Sequence, residues 1–300
     1  MTVTKLRGII PAVFTEAVMY RMISSVVRPD LECKHSHVTF DFRKLNSIGL
    51  GGIAVLSNVI EYLRSRGATV EFEYLTDCGA KHYFDKLGFT RIYAPEFAPD
   101  NTHRDRDVLP LTLVSKDRVY DYLFNKLIPW MRTHLKVNYR SELGSVQASL
   151  QEIFNNIIDH SKVEIGCACG IYSRDKNFIK LCISDFGVGI PANVRKQDPS
   201  IKSDALSLAK ACQHGFTTRS TPRNSGVGLH VLNKNTVYLN SGELAIHSGQ
   251  GIYRSHKIDD RIYTRPQIAE GFYPGTTIFL IFPVDKFVPD EIDAPFEWED

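Results

Sequence analysis

Residues Gln151–Ser161 read QEIFNNIIDHS. With Leu150 in front, Ile153, Phe154, Ile157 and Ile158 recur at helical spacing and mark the buried side of an amphipathic helix. Glu152, Asn156 and His160 follow at steps of four, stacking a carboxylate, an amide and an imidazole along one neighbouring row. Such a row can line a pocket, but a packed helix with a solvated polar edge has the same pattern. The downstream elements have to decide between them.

The first is a strand that ends in ISDFGVGIP. Ile179, Leu181, Ile183 and Asp185 alternate with Lys180, Cys182 and Ser184, so Asp185 shares a face with three aliphatic side chains. A carboxylate there is costly unless it accepts hydrogen bonds. Gly187 and Gly189 follow at once and allow close approach of a ligand to the backbone. The second is NSGVGLHVL, Asn224–Leu232, where Gly226 and Gly228 open an apolar helical run. Backbone N–H groups at such a start suit phosphate.

This ordered set, ExxxN with a further His, DxGxG, GxGL, and a GT ahead of a strand, resembles the GHKL ATPases, the class of DNA gyrase, sensor histidine kinases and the anti-sigma-factor serine kinases. It runs over Ser141–Pro283. The resemblance implies an α/β Bergerat fold, helices over a mixed, antiparallel-rich sheet, with ATP and Mg2+ between the layers. It implies that Glu152 is catalytic and activates the attacking group, and that Asn156 binds the metal. Asp185 would accept the adenine amino group. Gly187, Gly189 and Ile190 would shape the base pocket, and Thr276 would join Asp185 through water. Ser225, Gly226, Val227, Gly228 and Leu229 would meet the phosphates. Thr217, Thr218 and Arg219 resemble the lid of histidine kinases, and two hydroxyls with a guanidinium suit a terminal phosphate; an exposed polar loop reads the same. The family's additional glycine is replaced by Asn224, which tolerates the left-handed conformation.

Upstream, VTFDF, the glycine-rich turn and helix IGLGGIAVLSNVIEYLRSRG, ATVEFEYL and the helix CGAKHYFDKLGF alternate as a small parallel-sheet unit. This order resembles STAS domains over Leu31–Tyr93. Where those carry a phosphorylatable serine, this chain has Gly49, Leu50 and Gly51, with Ser47 too early to match. The resemblance therefore implies a docking or dimer surface for a protein partner, or a homodimer, rather than a phosphoacceptor; a purely structural cap remains the alternative. The expected division is a STAS-like domain with an N-terminal extension over 1–95, a linker over 96–116, the ATP-binding domain with its preceding helix over 117–290, and an acidic tail over 291–300. The extension reads as a strand or a helix. The preceding helix, Asp117–Leu135, contains Pro129, which should kink or break it. Three strands are expected from ELAIHSG, GIYRSH and TTIFLIF.

The 300 residues carry a net charge of +2, which gives no general attraction to nucleic acid or membrane. The apolar run Ala12–Val27 contains Glu16 and Arg21, so it reads as neither a membrane span nor a secretory signal. Six cysteines form no CxxC pair and read as reduced thiols of a cytoplasmic protein; Cys167 and Cys169 fall on one face of a strand. His134 is followed by Leu135, without the acidic neighbour of a phosphoacceptor histidine, which disfavours a sensor kinase. His160 reads as a structural hydrogen-bonding group, and His214 starts the lid loop. The expectation is a regulatory ATP-binding protein with slow hydrolysis or phosphoryl transfer. Alternatives are an anti-sigma-type serine kinase and a non-hydrolysing, nucleotide-gated interaction switch.

Overall fold

The buried strand β2 (His37–Asp41) is the centre of a three-stranded parallel sheet, flanked by β1 (Lys5–Ile9) and β3 (Thr69–Glu73). The computed structural model describes residues 4–28, 30–100, 105–138, 140–160, 165–216 and 228–291. The first thirty residues hold both a strand and a helix, since β1 is followed by α1 (Glu16–Val26), capped by Thr15, whose hydroxyl accepts from the Val18 amide at 3.3 Å. Helix α2 (Leu50–Ser65) joins β2 to β3; the segment after β3 is two short helices, α3 (Lys81–Lys86) and α4 (Phe89–Tyr93), rather than one, because Gly88 turns the chain with φ +78°.

The stretch 96–116 is not only a linker. Val108–Ser115 forms β4, an edge strand of a second sheet, paired antiparallel with β5 (Ile165–Ser173). Pro110 concealed it, but an edge position with a register shift between Leu109 and Thr112 accommodates a residue that cannot donate. Then come α5 (Val119–Tyr122), a π-helical turn Leu123–Leu127, and α6 (Ile128–Leu135). Pro129 therefore does not end the helix: it sits in the first turn of α6, directly after the π turn that relaxes the ladder. His134 is buried on α6, bonded at 2.9 Å to the Arg106 carbonyl and stacked on Tyr172.

The sequence expected to form the pocket helix forms α7 (Gly144–His160). Its first turn is capped from far along the chain, with the Ser145 amide and hydroxyl donating to the Asp290 carboxylate at 2.7 and 2.6 Å. After β6 (Phe178–Asp185) come α8 (Ile190–Gln197), α9 (Asp204–Ala211) and α10 (Gly228–Asn233). ELAIHSG and GIYRSH are one strand, β7 (Glu243–Ile258), bulged between Ser248 and Gly251, and β8 (Arg261–Pro283) begins well before TTIFLIF. The five strands run β4-β5-β6-β8-β7, with every neighbouring pair antiparallel.

This is a mixed α/β architecture, and both faces of the larger sheet are covered. Ile179, Leu181 and Ile183 face a core shared with α5, α6, α7, α9 and α10. Cys167, Cys169 and Cys182 point the other way, into a core shared with α1, α2 and the parallel sheet. Thus α2 lies between the two sheets, with Ile53, Ala54, Leu56, Val59, Ile60 and Leu63 all inaccessible. Gly51 sets how close it comes, because a Cβ there would lie 2.7 Å from Cε1 of Phe279 on β8.

Candidate functional site

At the end of β6 the alternation that carries Ile179, Leu181 and Ile183 into the core carries Asp185 there too, and it is 3% exposed. Its carboxylate accepts from the Gly187 amide (Oδ1, 2.7 Å) and the Thr276 amide (Oδ2, 3.1 Å). Thr276 is in place because β8 pairs with β6 in a register that sets Thr277 against Ser184. Thr276, expected from the sequence to act with Asp185, thus meets its carboxylate directly through the main-chain amide. Burial drives the Asp185 pKa up to about 7, and the two amides only partly offset it.

A tight set of contacts holds the glycine turn after Asp185. Gly275, at φ +100°, lies so close that a Cβ would meet the Asp185 carbonyl at 2.5 Å and the Gly187 nitrogen at 2.6 Å. Gly189 precedes α8, whose first amide, on Ile190, donates to Ser248 Oγ at 3.0 Å. Ser248 in turn donates to the Gly275 carbonyl and lies 3.3 Å from Thr276 Oγ1. Asp185, Gly187, Gly189, Ile190 and Thr276, expected from the sequence to act together, are brought together. Ser248 was missed; its only local mark is the bulge-forming SGQG that follows His247.

A second polar cluster lies behind this one. Tyr273 donates to the Asp185 carbonyl at 2.7 Å, and its hydroxyl is 2.9 Å from Ser184 Oγ. Ser184 is 2.6 Å from Thr277 Oγ1, and Asn58 of α2 donates to both Ser184 (2.9 Å) and Tyr273 (3.1 Å). His247, edge-on to Tyr20 and bonded to its hydroxyl at 3.1 Å, closes the group on the α1 side. Burial holds its pKa down at about 4.

Glu152 is half-buried on α7, which rests on the sheet through Leu150, Ile153 and Phe154. Asn156 and His160 lie on the same helix, but their side chains are outside the described residues. Helix α10 packs on α7 and begins at Gly228, with Leu229 partly buried against the helix-side core. Thr217, Thr218, Arg219, Asn224, Ser225, Gly226 and Val227 also lie outside the described residues. His214 is exposed, its ring edge-on to His230 at 5.0 Å.

The comparison with solved structures returns, among others, an ATP-binding domain. It is a topoisomerase IV ATP-binding domain from Francisella tularensis, in complex with a small-molecule inhibitor, with a TM-score of 0.26 and 16% identity over 63% of this chain. The chain spans 46% of that structure's length, and a likeness of this size carries no argument about the site. No protein-family model and no curated protein matches the sequence. Among the described residues no helix is long and apolar enough to cross a membrane, and no group of three His, Cys, Asp or Glu side chains could hold a metal ion.

Proposed function

We propose that this protein binds ATP with magnesium in a GHKL-type pocket and uses the nucleotide for regulation, by slow hydrolysis or by phosphoryl transfer to a protein. Asp185 carries the reading. A carboxylate this deeply buried, with two main-chain donors and no cationic partner among the described residues, is an acceptor held ready for a further donor, and an adenine amino group supplies one. An acceptor on the base side is what an adenine amino group requires. On the phosphate side, Thr217, Thr218, Arg219 and Ser225 to Leu229 are the groups this reading assigns, and Asn156 would hold magnesium, whose charge offsets that of the phosphate oxygens. Glu152 acts as general base, taking the proton of the attacking water or hydroxyl.

Two measurements test the assignment. Purified protein incubated with labelled ATP, alone and with candidate partners, should yield free phosphate or labelled protein; neither product together with no binding removes the proposal. Glu152→Ala should keep ATP affinity and lose roughly 100- to 10,000-fold in turnover, the usual worth of a positioned base. Unchanged phosphate release would assign the base elsewhere.

The raised pKa of Asp185 adds a pH dependence. The amino group needs the ionised carboxylate, so affinity for ATP should be flat above pH 8 and fall about tenfold per unit below pH 7. A titration series from pH 5.5 to 8.5 that stays level would show that Asp185 does not meet the base. A second reading, a nucleotide-gated switch without turnover, is favoured by one observation: α2 of the parallel-sheet half packs directly behind the pocket strands β5 and β6.

A further inference from the structure

Helix α2 is apolar almost all round, yet it carries one amide, Asn58, 3% exposed and aimed at the larger sheet. A buried amide is costly unless it is bonded, and this one spends its Nδ2 donors on two hydroxyls, Ser184 at 2.9 Å and Tyr273 at 3.1 Å. Tyr273 has a single proton. Two acceptors lie within reach of it, the Asp185 carbonyl at 2.7 Å and Ser184 Oγ at 2.9 Å. Tyr273 gives that proton forward, to the Asp185 carbonyl, and Ser184, which already accepts from Asn58, keeps its own proton for Tyr273 or Thr277. Thr277, bonded to Ser184 at 2.6 Å, adjoins Thr276, whose amide holds the Asp185 carboxylate. The cluster therefore grips the residue from its carbonyl side and from the strand that supplies one of its carboxylate donors.

We propose that Asn58 is a positioning residue for the nucleotide site: acting through Tyr273 and Ser184, it fixes Asp185 against the base, so that the position of α2, and with it the parallel-sheet half, sets affinity for the purine. The inference rests on the reading of Asp185 as the base acceptor. A small shift of α2, caused by a partner on the parallel sheet, would free the Tyr273 proton to turn back to Ser184 and leave the Asp185 carbonyl without its donor. A coupling of this kind is a differential interaction with two states of one element, as a ligand-driven equilibrium requires.

The test uses the full chain in four forms: wild type, Asn58→Leu, Tyr273→Phe and the double variant. Tyr273→Phe keeps the ring and removes only the hydroxyl, so it reports even where Asn58→Leu does not fold. Each single change should weaken ATP binding about tenfold, the worth of one hydrogen bond, and the double variant should be no weaker than either alone. Amide exchange at Gly187 and Thr276, whose N–H groups end on Asp185, should quicken in both variants while β4 and β5 amides keep their rates. Wild-type affinity in either single variant, additive losses in the double, or faster exchange across the whole sheet would overturn the inference in favour of a purely structural amide. A wild type that does not bind ATP would defeat the functional reading instead, and the exchange rates would still decide the coupling.

Discussion

Asp185→Asn is expected to lower affinity for ATP by about 100-fold or more, because a site built around a buried acceptor loses most of its binding when that acceptor becomes in part a donor. The fold should survive. The amide oxygen can still take the Gly187 N–H, and although the new NH2 group would face the Thr276 amide, removing an ionised carboxyl from a site 3% exposed relieves its desolvation. The linkage has a definite sign. The folded-state pKa of about 7 lies above the ordinary 3.8, so the proton is held by the folded chain and released by the unfolded one between those values. The Asp185 contribution to stability is therefore greatest below pH 4 and is lost as pH rises through 7, and the variant should melt within a few degrees of wild type at pH 8. Calorimetric titration with ATP beside a melting curve checks both halves; tight ATP binding by a well-folded variant would end the assignment.

Gly275→Ala should have the largest effect on stability of any single methyl group near the site. The position sits at φ +100°, and the added carbon would meet three main-chain atoms, the Asp185 oxygen at 2.5 Å, the Gly187 nitrogen at 2.6 Å and the Phe186 Cα at 2.9 Å. Backbone atoms cannot step aside as the end of a side chain does. A loss of about 3 kcal/mol or more is expected, which at roughly 2–4 °C per kcal/mol lowers Tm by about 6–12 °C. ATP should also give the folded remainder little protection, because the turn after Asp185 and the stretch of β8 that touch here are the segments that hold Asp185. A variant with the melting point and ATP shift of wild type would show that the turn after Asp185 is not fixed by this contact.

The parts of this site that a sequence can show are those where one local period carries the information. Asp185 was legible because alternation along one strand forced a carboxylate onto an aliphatic face, and α7 because its apolar positions kept a helical step from Leu150 to Ile158. Strand β4 was hidden by Pro110, whose penalty falls away only at an edge. The lengths of β7 and β8 were hidden by Gly249, Gly251, Pro266 and Pro274, which read as breaks but occupy a bulge and a long hairpin. Tyr273 and Ser184 stand 89 positions apart and nothing local joins them. Helix α2 did carry a sign: LGGIAVLSNVIEYL is apolar on every side, which marks a helix covered all round, and Asn58 stands out within it.

The seat of α2 also bears on how this protein can be cut. Residues 96–290 produced without the first ninety-five would bare Cys167, Cys169, Cys182 and Phe279 to solvent along one broad plane. The Cys167 thiol, which burial now keeps protonated, would become open to oxidants, and neighbouring copies would adhere through the same plane. The excised half should accumulate as insoluble material, recoverable only when the missing segment is supplied in trans.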